Sequence, residues 1–335
     1  MGGGPAGAVG HPDEGSGMGA RMRAVSQDGY GGPEVLRVVE VERPEPGPGE
    51  VLVRVLAAGV NPADWKIRSG EVARFGTPPF AERFTVGIDL CGTVVALGPG
   101  ADRFRPGERV FGCAFPPRGG YAEYAVVAES ALAAAPAAVD AVGAAALPVS
   151  ALTAWQALVR VAEVSPGQRV LVHAAAGGVG HLAVQVAKAR GAYVLGTARA
   201  AGHGFLRGLG VDEPIDYTAG DFAALARDVD VVLDPIAGDY GPRSLEVLAP
   251  GGILVDVRGT GPDRTAVRAL AGQRGLRFAE FGFTPSGADL AELAALVESG
   301  GLRAAVGRVL PLEDAAEAHV LGEANRVPGK LVLVP

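Results

Sequence analysis

Residues 169–190 constrain this chain more than any other stretch. Arg169-Val170-Leu171-Val172-His173 is a short apolar run that reads as a buried strand. Val179 to Arg190 reads as a helix, with Leu182, Val184, Val186 and Ala187 available for packing. Between them lies Ala174-Ala175-Ala176-Gly177-Gly178-Val179-Gly180. A glycine-rich turn between a strand and a helix is the context that dinucleotide binding requires. Gly177 lets backbone approach a pyrophosphate, and Gly180 lets the helix pack closely on the strand. The helix N-terminus offers free N–H groups and the positive end of its dipole. Ala175 stands where the first glycine of G-x-G-x-x-G would be. The other reading of the loop is therefore a tight strand–helix turn with no ligand.

The sequence that follows favours the ligand. Ala192 to Gly196, Val229 to Leu233 and Gly252 to Val257 read as further strands. Helical stretches lie between them, around Phe205 to Leu209 and Phe222 to Arg227. Alternation of this kind predicts right-handed βαβ units and a doubly wound parallel sheet, an α/β Rossmann domain. Upstream, from Arg21 to about Phe115, the signals are β, with Val51, Val53 and Val55 on one face of a strand. Gly- and Pro-rich breaks recur there, which accounts for much of the 51 glycines and 25 prolines and suggests a small barrel or sandwich. Ala- and Leu-rich sequence through Val159 reads as helix broken at Pro148. Leu290 to Val297 reads as a helix, and Lys330-Leu331-Val332-Leu333-Val334 as a closing strand.

Composition removes other classes. A net charge of −7 disfavours a nucleic-acid partner. The most apolar window, Ala131 to Val149, is mostly alanine and contains Pro136, Asp140 and Pro148, so no membrane span is expected. Residues 1–20 begin with neither the basic region nor the apolar core of a secretory signal and read as a flexible leader. The two cysteines, Cys91 and Cys113, cannot build a four-thiolate zinc site and read as small buried apolar residues in a reducing cytoplasm.

The second Rossmann strand bears on the cofactor. An NAD site wants Asp or Glu about 20 residues after the loop, to hold the ribose 2′-OH. Here the stretch is Gly196-Thr197-Ala198-Arg199-Ala200, with no acid. Arg199 stands where a 2′-phosphate would lie, which favours NADPH, and the spacing leaves open whether His203 or Arg207 assists.

Several pieces together resemble a known family. They include Gly59-Val60-Asn61-Pro62-Ala63-Asp64-Trp65-Lys66, Val86-Gly87-Ile88-Asp89, Gly120-Tyr121-Ala122-Glu123-Tyr124, the glycine loop, and Gly329-Lys330 near the end. The chain after Arg21 resembles the medium-chain dehydrogenase/reductase superfamily, in its zinc-independent quinone oxidoreductase branch. The resemblance implies a GroES-like β-rich catalytic domain (21–148 and 284–335) interrupted by a Rossmann NADPH-binding domain (149–283). It also implies a homodimer, with the active cleft between the domains. Zinc-dependent relatives carry Cys where this chain has Asn61, and Gly-His-Glu where it has Gly87-Ile88-Asp89, so no metal is expected.

Without a metal to polarise a carbonyl, hydride transfer is easiest to an acceptor that delocalises charge, such as a quinone or an α,β-unsaturated carbonyl. Asn61 and Lys66 are then the catalytic candidates, as an amide donor and a cation near the developing oxyanion. The competing readings are a turn before Pro62 for Asn61 and a solvated side chain for Lys66. Trp65, where many relatives have Tyr nearby, cannot act as an acid and is read as shaping the substrate pocket, which leaves water as the final acid. By resemblance, Thr153 approaches the nicotinamide end of the cofactor and Tyr217 the adenosine side. Val257 ends a later strand, Phe283 frames the carboxamide, and Tyr121 and Tyr124 are core. Two rival functions are an enoyl reductase tailoring a polyketide or other secondary metabolite, and an NADPH-binding protein without turnover.

Overall fold

The computed structural model describes residues 20–75, 83–261, 263–325 and 327–335. The expected leader lies outside the described residues apart from Ala20, which is exposed. Eight strands come first: β1 (Arg21–Gln27), β2 (Arg37–Glu42), β3 (Glu50–Val60), β4 (Phe84–Thr85), β5 (Asp89–Leu97), β6 (Arg109–Cys113), β7 (Tyr124–Ala128) and β8 (Leu132–Ala134). Six follow in the middle: β9 (Arg169–Val172), β10 (Tyr193–Ala198), β11 (Glu213–Asp216), β12 (Val229–Asp234), β13 (Leu248–Asp256) and β14 (Arg277–Glu280). Two close the chain: β15 (Val306–Pro311) and β16 (Lys330–Val334).

The middle strands form one parallel sheet in the order β11-β10-β9-β12-β13-β14. Its interior strands are apolar on both faces because helices cover both sides. The order reverses between β9 and β12, and in sheets of this kind ligands bind beyond the carboxyl ends of the strands at such a reversal. The outer strands, β11 and β14, lack the apolar runs of the inner ones. They are edge strands carrying Glu213, Asp216, Arg277 and Glu280, so half-exposure dilutes the apolar signal.

The first eight strands make a three-stranded sheet, β2-β1-β4, and most of a seven-stranded one, β15-β16-β3-β5-β6-β8 with β7 on β3. Strand β3 sits at the centre and is buried over most of its length, as its β-branched run implies. The last strand, β16, pairs antiparallel with β3, so the β-rich unit is completed from the far end of the chain.

Between the two units the Ala-rich stretch divides at Pro148 as expected. Helix α1 (Pro62–Arg68) belongs to the β-rich unit, while α2 (Ala141–Ala145) and α3 (Pro148–Trp155) make the passage. Pro148 opens α3 in its first turn, where its missing N–H costs nothing. Helix α3 continues as a π-helical segment over Gln156–Val161, and α4 (Gly180–Ala189) follows β9.

Candidate active site

The glycine loop joins β9 to α4. A Cβ added at Gly180 would lie 2.7 Å from the Ala175 Cα and closer still to the Ala174 carbonyl oxygen. Helix and strand meet too tightly there for any other residue, as the sequence predicts. Gly177 N–H donates to the Ala174 carbonyl at 2.8 Å. Ala176, Gly177, Gly178 and Val179 are half-buried. At Gly178 a Cβ would meet only the Lys330 Cδ at 3.5 Å and the Ser150 Oγ at 3.7 Å, both ordinary contacts. The loop Ala176–Val179 ahead of α4 is therefore the part-exposed backbone at the helix start, the arrangement that fits a pyrophosphate.

Two predicted cofactor residues come together one step past the sheet. Ala198 pairs with Asp216 in the β10–β11 register, and the next residues are Arg199 and Tyr217. Arg199 Nε donates to the Tyr217 hydroxyl at 3.2 Å, and both side chains are exposed. The His203 Nε2 nearby in sequence is buried without a hydrogen-bond partner.

Asn61 has a different setting from the open cleft expected of it. It is the N-cap residue of α1 and only 1% exposed. Its Nδ2 donates to Asp89 Oδ2 at 2.8 Å, and its Oδ1 accepts from the Lys330 ammonium. Lys330 Nζ also donates to Asp89 Oδ2 and to Ser150 Oγ, each at 3.2 Å. Asp89 Oδ1 accepts the Val149 N–H at 2.7 Å, which places a carboxylate on the N-terminal turn of α3. Asp64 completes the cluster, accepting from the Asn61 N–H at 2.8 Å, the Ile88 N–H at 3.0 Å and the Tyr121 hydroxyl at 3.1 Å. Burial pushes the Asp64 carboxyl up to about 7 against the pull of those bonds. Tyr121 is core, as expected, and its hydroxyl is satisfied there; Tyr124 is only half-buried.

The remaining candidates spread along the junction. Lys66 reaches across it, donating to the Arg258 carbonyl at 3.1 Å, and burial lowers its pKa although Glu71 opposes the shift. Trp65 turns its edge to His319 at 6.1 Å and fills the space over Gly322. That packing seats the half-buried ring in the β-rich unit, against the Ala315–Glu323 helix. Thr153 is buried in α3 and donates to the Val149 carbonyl at 2.7 Å. Val257 leaves β13 with its N–H on the Asp234 carbonyl at 3.0 Å. Phe283 stacks on Phe115 with ring centroids 6.5 Å apart, joining the two units.

Sequence reasoning gave Asp89, Ser150 and Lys330 no role. A signal existed for Lys330. It is one of only three lysines and it opens an otherwise apolar strand, so its ammonium needs buried acceptors.

The same cluster answers whether a metal fits. Catalytic zinc wants three Cys, His or carboxylate ligands around an open position. Here the oxygens of Asn61, Asp89 and Ser150 surround an ammonium instead. Burial pushes the thiol of Cys113 far above its ordinary pKa and that of Cys91 up to about 12, so neither is a ready thiolate. Among the described residues no group of three or more His, Cys, Asp or Glu side chains could hold a metal ion. The donor set does not fit zinc.

Residues 47–137 match the family described as "Alcohol dehydrogenase GroES-like domain", and residues 209–333 match "Zinc-binding dehydrogenase". The chloroplastic quinone-oxidoreductase homolog of Spinacia oleracea is 37% identical over 263 residues, covering 75% of this chain and 78% of the relative. The crystal structure of an NAD-dependent alcohol dehydrogenase superposes with a TM-score of 0.86 at 35% identity, covering 94% of this chain and 100% of that one. A mycobacterial protein complexed with NADPH superposes with a TM-score of 0.82 at 33% identity, again over 94% and 100%. The chain belongs to the medium-chain dehydrogenase/reductase superfamily, in its quinone oxidoreductase branch. It is accordingly an oxidoreductase, with a GroES-like unit and a Rossmann unit. Among the described residues no helix is long and apolar enough to cross a membrane.

Proposed function

We propose that this chain is an NADPH-dependent reductase that delivers a hydride to a quinone or an α,β-unsaturated carbonyl without a metal. The observation that carries the reading is the ammonium of Lys330 among the oxygens of Asn61, Asp89 and Ser150. A cation already fills that donor set, and its three N–H bonds are spent on protein acceptors. The acceptor molecule must then spread its own developing charge, which quinones and enones do. The spinach relative's name and the NADPH-bound neighbour agree with this reading. Arg199 and Tyr217 support the choice of NADPH, since a guanidinium and a hydroxyl side by side suit a 2′-phosphate.

Bound nicotinamide supplies the hydride. The loop Ala176–Gly180 and the first turn of α4 hold the pyrophosphate, and Arg199 with Tyr217 hold the ribose phosphate. Lys330 fixes the Asn61 carbonyl oxygen, and the buried amide ties the starts of α1 and α3 together through Asp89 behind the cleft. Lys66, once released from the Arg258 carbonyl, holds a proton at the cleft and steadies negative charge there. The reading carries with it a cytoplasmic homodimer with no nucleic-acid or membrane partner, in keeping with the net charge of −7.

The test is NADPH and NADH oxidation against quinones, enones and enoyl thioesters, with metal content measured on the same sample. Turnover of quinones or enones with NADPH in metal-free protein supports the reading. Preference for enoyl thioesters would make it a tailoring enoyl reductase. Cofactor binding without turnover of any acceptor would make it a binding protein.

A further inference from the structure

The phosphate loop is tied to the β-rich unit from below. His181 lies in the first turn of α4 and is fully buried. The Ala305 N–H can only donate, and it donates to His181 Nε2 at 3.0 Å. The ring proton therefore sits on Nδ1, which donates to the Gly177 carbonyl at 2.8 Å, beside the helical bond that the same oxygen accepts from the His181 N–H at 3.1 Å. Ala305 precedes β15, and its own carbonyl accepts the Lys330 N–H at 2.8 Å. The Lys330 stem in turn runs beneath Gly178. One helical turn along α4, Gln185 grips Arg303 through both ends of its amide, at 3.0 and 2.9 Å.

We propose that His181 is a positioning residue for the pyrophosphate-binding amide of Gly178, acting through the Gly177 carbonyl and anchored on Ala305. The carbonyl of Gly177 and the N–H of Gly178 belong to one planar trans peptide and point in opposite directions. Fixing the carbonyl toward His181 aims the N–H out of the helix start, where a phosphate oxygen would accept it. The anchor lies on the segment that leads into the last strands of the β-rich unit. The loop is thus set by both units, and the aim of one amide depends on a residue that touches no ligand.

This inference rests on the loop binding a dinucleotide, and the experiment separates the two. Binding of NADPH and of 2′-AMP, which lacks the pyrophosphate, is followed by calorimetry for wild type, His181→Leu and His181→Asn. Backbone hydrogen exchange of the ligand-free proteins is compared between residues 177–180 and strand β10. Wild type that binds no nicotinamide dinucleotide overturns the cofactor reading and the inference with it. Given binding by wild type, His181→Leu is expected to raise the Kd for NADPH about tenfold, with 2′-AMP affinity unchanged. Loop exchange should quicken while β10 stays protected. His181→Asn, whose amide can still reach the Gly177 carbonyl, should recover part of the loss and serves if His181→Leu does not fold. Unchanged NADPH affinity, parallel loss of both ligands, or exchange that quickens equally in loop and strand overturns the proposal.

Discussion

Asn61 and Lys330, 269 residues apart in sequence, share a buried hydrogen bond between an amide oxygen and an ammonium. Around that bond gather Asp89, Ser150 and, one residue further out, Asp64. Removing the charge from one partner leaves the other stranded. Lys330→Met is expected to cost about 3–5 kcal/mol, because Asp89 becomes a buried carboxylate with no cation. The double variant Lys330→Met/Asp89→Asn should recover most of that loss. Urea unfolding of the four proteins gives the coupling directly, and a double variant no better than the single one contradicts the pairing.

Gly178 and Gly180, two residues apart, answer differently to the same methyl group. Gly180→Ala must push apart the Ala174 and Ala175 backbone and is expected to lose about 2–4 kcal/mol. Gly178→Ala meets only side-chain atoms at 3.5 and 3.7 Å and should change stability by less than about 1 kcal/mol. Thermal scans of both variants are enough to separate them.

Arg199 donates to Tyr217 from an exposed position, so its replacement should leave the fold intact. Arg199→Glu is expected to raise the KM for NADPH by about tenfold or more while changing that for NADH far less. Tyr217→Phe should shift the same ratio more weakly. Equal effects on both cofactors would remove Arg199 from the 2′-phosphate site.

Three histidines are buried in neutral form. Burial depresses His173 and His319 to about 3 and His181 to about 4. The unfolded chain takes up protons on these residues from about pH 6.5 downward, whereas the folded protein resists until pH 3–4. Stability is therefore present above pH 6.5 and is lost as pH falls below it. Asp64 works the other way, since its raised pKa means that the folded state holds a proton more tightly between about pH 4 and 7. The net expectation is a steep loss of unfolding free energy between pH 6.5 and 4. His173→Gln should flatten it and Asp64→Asn should steepen it. Denaturant titrations across that range read both slopes.

The glycine loop, the alternation of strands and helices, and the place of Arg199 just past the second Rossmann strand are legible in sequence because each rests on short-range pattern. The loop needs a strand before it and a helix after it, and all three lie within residues 169–190. The residues around Lys330 are not legible in that way. Asn61, Asp89 and Ser150 come from α1, β5 and α3, and no periodicity links them. Their meeting depends on β16 pairing with β3, a contact whose sequence separation exceeds any local signal. The packing of Trp65 is illegible for a related reason, since only the fold brings the Ala315–Glu323 helix against it.

Strand β16 also sets an order of events as the chain is made. The parallel sheet of β9 to β14 holds all of its strands before β16 leaves the ribosome. Strand β3 emerges early, yet it receives one of its neighbours only when Leu331, Val332 and Leu333 arrive opposite Val60, Gly59 and Ala58. Until then Asp89 and Asn61 lack their cation. The nucleotide-binding half of the enzyme is thus able to form while the other half still waits for its final strand. A nascent chain stalled just short of Lys330 would expose an open sheet edge, the kind of surface that chaperones and proteases recognise.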